Sequence, residues 1–168
     1  MKALLLAAGL GTRLMPITKT VPKCLVRIHN KPLMQYWFDL LDSPIITDIF
    51  VNTHYMPAEV RYFINKSNIK NKITIIHEEE LLGTGGTILR NGHFFDSESF
   101  LVAHADNLTI FDLKEFINAH RCRPKGVEIT MMTYTTDTPQ SCGIVEVNAA
   151  GLVVGFYEKI KEIGRAHV

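Results

Sequence analysis

The sequence predicts a doubly wound α/β fold, a mostly parallel sheet flanked by helices, and three observations carry that expectation. Strand-like and helix-like segments alternate through residue 121. The first strand-like segment, KALLLA at 2–7, is a near-continuous apolar run, as in a strand covered on both faces of a parallel sheet. Polar loops beginning at Ala8, Glu78 and Asp106 each follow a strand, and a doubly wound sheet gathers such loops at its carboxyl edge, where ligand crevices lie.

Taken in order, the elements justify themselves locally. After the first strand and a polar loop, Pro32 can occupy the first position of a helix, and Leu33, Tyr36, Trp37, Leu40 and Leu41 recur on one helical stripe. DIFVNT (48–53) reads as the second strand, and Pro57 opens a helix to about residue 66. KITIIH (72–77) is the third strand, followed by the loop EEELLGTGG (78–86) and a short helix. SFLVAHAD (99–106) is a buried strand ending on an acid. Asp112 and Glu115 have capping-box spacing for a helix carrying Leu113, Phe116 and Ile117. VEITMMTY (127–134), CGIVEV (142–147) and LVVGFYEK (152–159) read as strands, the last two joined by a turn at NAAG. The Tyr36–Trp37–Phe38 cluster reads as core or interface, Met131–Met132 as core and His77 as a strand-end residue. With no internal repeat or linker, a single domain over 1–161 is expected.

Composition narrows the function classes. A chain of 168 residues can bury roughly two thirds of its unfolded surface. Its net charge of +1, with Lys and Arg scattered, indicates no general attraction to nucleic acid or to an anionic membrane. No apolar run has the length to span a bilayer, and the short MKALLLAAGL runs into Arg13 without a cleavage region, so it reads as a strand rather than a signal peptide. Three cysteines, Cys24, Cys122 and Cys142, show no CxxC spacing; no disulfide framework or zinc site is expected, and a cytoplasmic setting fits.

The chemistry concentrates in LLLAAGLGTRLMPITKTVPKCL (4–25). Gly9 and Gly11 let the backbone approach a ligand closely, its N–H groups can cradle phosphate, and Arg13 and Lys23 add fixed positive charge. A bare GxG is more often a tight turn flanked by solvated cations. Leu14 stands where a dinucleotide fingerprint needs its third glycine, and no GK[ST] is present, so neither of those motifs applies.

The string of Gly9, Gly11, Thr12, Arg13, Pro22, Lys23 and Leu25, followed by NKPLM, resembles the signature of the sugar-1-phosphate nucleotidylyltransferases. Further matches follow in the family's order over residues 1 to about 160. ELLGTGG resembles the loop that holds the nucleotide base, with Leu81 where proline is common and Gly85 where alanine is common. Asp106 matches a metal-binding aspartate, preceded here by Ala105 instead of glycine; CGIVEV matches a sugar-pocket strand through Gly143; and YEKI matches a glutamate–lysine pair, with Ile160 replacing a frequent proline. The resemblance implies a Rossmann-like nucleotidyltransferase fold and a reaction in which a sugar 1-phosphate oxygen attacks the α-phosphorus of a nucleoside triphosphate and expels pyrophosphate. It implies catalytic roles for Arg13, Lys23 and Asp106, with Mg2+ on Asp106. Nucleotide contacts fall to Leu6, Ala8, Gly9, Gly11, Thr12, Arg13, Glu78, Leu81, Gly83 and Thr84, and sugar-phosphate contacts to Lys23, Gly143, Glu158 and Lys159.

The nucleophile in that reaction is already an anion, so the site needs alignment and charge stabilisation, not a general base. Glu78 sits where the family places a base-reading side chain; a carboxylate only accepts hydrogen bonds, which suits the neighbouring donors of guanine and favours GTP, with mannose 1-phosphate or a related sugar phosphate as the acceptor. Glu79 and Glu80 are adjacent alternatives. Uridylyl, thymidylyl or cytidylyl transfer, and a non-catalytic regulatory subunit, are the competing readings, and a homo-oligomer is left open. A DxD-type sugar transferase is disfavoured by His104, which reads as a packed or hydrogen-bonded residue, although it shares a strand face with Asp106 and a ligand role is geometrically open. Family domains continue past the EK strand, so the chain is expected to be cut short at its C-terminus and to turn over poorly. EIGRAHV (162–168) reads as a non-native tail, because it back-translates to a common sequencing-adapter string.

Overall fold

The computed structural model describes residues 1–158. The chain divides into two compact units, Met1–Lys114 and Glu115–Val168, where the sequence reads as a single domain. The expected tail at 162–168 and Lys159 lie outside the described residues.

The first unit is built on a four-stranded sheet of β1 (Lys2–Leu6), β4 (Asp48–Thr53), β5 (Ile73–His77) and β6 (Phe100–His104), in the order β5-β4-β1-β6. All three pairings are parallel, with Leu4 opposite Phe50 and Val102. Parallel neighbours need crossovers, and α1 (Leu33–Leu41), α2 (Pro57–Asn65) and α3 (Gly83–Arg90) lie in the three connections. β1 is covered on both faces. Leu4 and Leu6 join a cluster with Phe50 and Phe95, while Ala3 and Leu5, of opposite parity, have no exposed surface. Each such leucine contributes roughly 1.5–3 kcal/mol by burial.

Several details differ from the sequence reading. Pro32 precedes α1 instead of opening it, because it closes a small antiparallel hairpin of β2 (Arg27–Ile28) and β3 (Lys31–Pro32). His29 and Asn30 turn that hairpin with positive φ of 48° and 65°. The buried stripe of α1 is Leu33, Met34, Trp37, Phe38 and Leu41, while Tyr36 and Leu40 are half-buried. Phe38 stacks on Phe63 of α2 at 5.8 Å. The loop read as 78–86 ends early, since Gly83 to Gly86 already form the first turn of α3.

In the second unit, β7 (Gly143–Val147) and β8 (Val153–Glu158) pair antiparallel across the Asn148–Gly151 turn. Asn148 closes it, its Oδ1 accepting from the Ala150 and Leu152 amides, both at 3.0 Å. Among the described residues the expected strand at 127–134 does not form: its residues carry the right propensity, but a strand exists only with a ladder partner and no described segment engages it. Met131 and Met132, expected in the core, are each 43% exposed. Leu113 and Ile117 of α4 (Leu113–Arg121) are buried, and Asp112 Oδ1 caps the helix by accepting the Lys114 amide at 2.7 Å.

Candidate functional site

At the carboxyl end of β1 the chain leaves the sheet through Ala7, Ala8 and Gly9. Leu6 and Ala8 are buried and Gly9 is exposed. The Ala7 amide donates to Asn52 Oδ1 at 2.7 Å, tying the loop to the end of β4. Gly11 holds φ +66°, and a Cβ there would lie 2.9 Å from Thr18 Cγ2 and 3.1 Å from Lys23 Cβ. Only glycine satisfies both demands at no cost. The bend is locked by Thr18, fully buried, whose hydroxyl donates to the Gly11 carbonyl at 2.8 Å, and Tyr55 in turn donates to the Thr18 carbonyl at 2.8 Å.

Two cations flank this bend. Arg13 lies in a single 3-10 turn, Thr12–Leu14, is exposed, and makes no hydrogen bond or ion pair among the described residues. Lys23, half-buried, follows the buried Pro22 and precedes the buried Cys24; its ammonium meets Asp106 Oδ2 at 2.7 Å. Asp106 stands two residues beyond β6. The Ala105 amide extends the ladder to the Leu6 carbonyl at 3.0 Å, the Asn107 amide turns back to His104 at 3.2 Å, and the Trp37 indole N–H holds the Asn107 carbonyl at 2.9 Å. Burial, with the Asp106 charge adding to it, pushes the Cys24 thiol up to about 12, so this cysteine is a neutral packing group.

The third loop leaves β5 at Glu78, which is 2% exposed. Its Oε1 accepts from Asn52 Nδ2 at 3.0 Å and from Thr87 Oγ1 at 2.6 Å, while Oε2 is buried without a partner. Glu79, Glu80, Leu81, Gly83 and Thr84 are exposed. The amides in the first turn of α3 lack intrahelical acceptors, and glycines there leave them open to a ligand.

The structure therefore gathers the expected nucleotide-side residues at the carboxyl edge of the first unit, with Gly11, Lys23 and Asp106 in direct succession. His104 is exposed instead of packed, and no group of three or more His, Cys, Asp or Glu side chains is arranged for a metal among the described residues. In the second unit, Gly143 faces Glu158 across the hairpin; a Cβ on Gly143 would lie 3.0 Å from the Phe156 ring and 3.3 Å from Glu158 Oε2. Sequence reasoning missed Thr18, Asn52, Tyr55 and Thr87. The one available signal was polarity out of pattern, as with Asn52 directly after the apolar run Ile49, Phe50 and Val51.

A glycine bend, one free and one paired cation and the carboxylate of that pair lie at the carboxyl edge of a parallel sheet, the edge at which α/β proteins of this class carry their sites. The chain belongs to the nucleotidyl transferase family, whose model matches residues 2–163. It is 33% identical over 167 residues to mannose-1-phosphate guanylyltransferase 1 of Arabidopsis thaliana, covering 96% of this chain and 46% of that protein. It is 32% identical over 173 residues to a UTP–glucose-1-phosphate uridylyltransferase of Synechocystis, covering 95% and 44%. The crystal structure of HddC from Yersinia pseudotuberculosis complexed with GMP-PN matches with a TM-score of 0.68 and 27% identity, over 94% of this chain and 69% of that one. The chain thus spans about half the length of the curated relatives it matches. No helix among the described residues is long and apolar enough to cross a membrane.

Proposed function

We propose that this chain carries the nucleotide half of an enzyme that transfers a nucleotidyl group to a sugar 1-phosphate and releases pyrophosphate, with GTP and mannose 1-phosphate as substrates. The carrying observation is the Lys23–Asp106 pair at 2.7 Å, set beside the Gly11 bend. Its roles follow from charge. The loop amides from Gly9 to Thr12 receive the triphosphate, and the free Arg13 guanidinium binds the departing pyrophosphate. Lys23 swings from Asp106 to bridge the sugar phosphate and the α-phosphate. Both partners are partly exposed, so breaking the pair costs only about 0–1 kcal/mol. Asp106, a single half-exposed carboxylate with no clustered acids around it, fits Mg2+, an ion that keeps its remaining sites for phosphate oxygens and water. When bound there, Mg2+ would supply neutralisation of the polyanions being brought together. Gly143, Glu158 and Lys159 are assigned to the sugar phosphate.

GTP is supported by the guanylyltransferase relative, by the guanine nucleotide in the HddC complex, and by the exposed carboxylates of Glu79 and Glu80, which offer acceptors to guanine N1–H and its 2-amino group. The test is pyrophosphate release over four nucleoside triphosphates and several sugar 1-phosphates, measured on the longest open reading frame that contains this chain. Fastest release with GTP and mannose 1-phosphate is expected. No release with any pair in the presence of magnesium would replace this reading with that of a non-catalytic regulatory subunit.

A further inference from the structure

We propose that Glu78 is a positioning residue and not the base reader: its buried carboxylate, held by Asn52 and Thr87, latches the start of the phosphate loop to α3. The inference rests on the nucleotide site proposed above. Glu78, Asn52 and Thr87 are 2%, 3% and 0% exposed. Ala7 is a donor and a carboxylate accepts only, so the Asn52 amide has one orientation that serves both: carbonyl to Ala7 at 2.7 Å, amino group to Glu78 Oε1 at 3.0 Å. Thr87 then donates to the same oxygen at 2.6 Å and accepts from Asn52 at 3.3 Å. The Glu78 main chain is fixed as well, its amide on the Thr53 carbonyl at 2.8 Å and its carbonyl accepting from His54 Nδ1 at 2.8 Å.

One carboxylate therefore joins two loops that face the ligand. Ala7 leads into Gly9 and Gly11, and Thr87 follows the glycine turn that opens α3. The partnerless Oε2 is buried, so a base could reach it only by opening the core. Base discrimination passes to the exposed Glu79 and Glu80.

The test uses the 168-residue chain and two readouts. Amide exchange by NMR compares Ala7 with Leu4 in the middle of β1, which separates loosening of the loop from loss of global stability. Calorimetry gives the ratio of GTP to UTP affinity with magnesium. Glu78→Gln keeps an acceptor for Asn52 and Thr87 and is expected to preserve both Ala7 protection and the affinity ratio. Glu78→Ala and Thr87→Val should speed Ala7 exchange about tenfold relative to Leu4 and weaken both nucleotides alike. Thr87→Val, nearly isosteric, carries the test if Glu78→Ala fails to fold. An affinity ratio altered about tenfold by Glu78→Gln would make Glu78 the reader and overturn the proposal. Ala7 protection unchanged in Thr87→Val would also overturn it. If the unsubstituted chain binds no nucleotide the proposed function fails, while the exchange readout still decides on the latch.

Discussion

Gly11 and Gly9 separate two reasons for glycine in a phosphate loop, and alanine at each position tells them apart. At Gly11 the backbone is left-handed, φ +66°, which costs an L-residue roughly 1–2 kcal/mol. The added methyl also meets Thr18 Cγ2 at 2.9 Å. Thr18 cannot swing clear, because it is fully buried and rotation breaks the 2.8 Å bond from its hydroxyl to the Gly11 carbonyl, about 1 kcal/mol by itself. Gly11→Ala should therefore destabilise the first unit by about 2–4 kcal/mol, once modest overpacking is added. Trp37 is the only tryptophan and lies in this unit, so urea unfolding followed by its fluorescence reads the loss directly. GTP binding should weaken in parallel, because Lys23 Cβ lies 3.1 Å from the new methyl and must shift. Gly9 differs: a Cβ there meets nothing within 4 Å and its φ is not positive. Gly9→Ala should leave stability within about 0.5 kcal/mol and still weaken nucleotide binding, because the methyl occupies the space where phosphate approaches the amides. A Gly11→Ala loss below about 0.5 kcal/mol would refute the steric reasoning. Unchanged binding in Gly9→Ala would refute the cradle.

Asp106→Asn removes a partly exposed ion pair and should cost no more than about 1 kcal/mol in urea unfolding, while magnesium-dependent pyrophosphate release falls by at least about a hundredfold. Titration with a thiol reagent at pH 8 should modify Cys122, which is exposed, and Cys142, whose thiol the Tyr134 hydroxyl pulls below its usual range; Cys24, raised to about 12, should react about a thousandfold more slowly until the chain is unfolded. The His120 ring should titrate below 6.5 by NMR, because burial and then the Arg123 charge disfavour the imidazolium, with Glu128 opposing. The sign follows: in the window between the folded value and 6.5 the unfolded state holds the extra proton, so this group's contribution is present above 6.5 and is lost as pH falls through the window. Arg123→Gln should raise the midpoint.

The sheet was legible because its central strands β1 and β4 are covered on both faces, which leaves an apolar run that little else produces. DIFVNT is β4 residue for residue, and KALLLA differs from β1 by one. The loop after β1 was legible as a candidate site for the opposite reason, as polar, glycine-bearing chain with no place in a core. What stayed hidden depends on partners distant in sequence. VEITMMTY has the composition of a strand, yet a strand is a relation between two segments, and none pairs with this one among the described residues. The opening of α3 reads as loop in the sequence because glycine is a poor helix former, a penalty that applies to helix interiors more than to an exposed first turn.

The Asn52–Glu78–Thr87 network was invisible for a related reason. Its bonds span 26, 35 and 9 residues, and no periodicity encodes them. Each member nevertheless stands out locally: Asn52 directly after the apolar run Ile49, Phe50 and Val51, Glu78 directly after β5, and Thr87 at the only fully buried position of its helix. Buried polar groups are costly unless partnered, so three such exceptions at the carboxyl ends of neighbouring strands and the helix that follows are better read together than singly. On that reasoning Glu78 belongs with Asn52 as part of the scaffold, and specificity belongs with the carboxylates that water can reach.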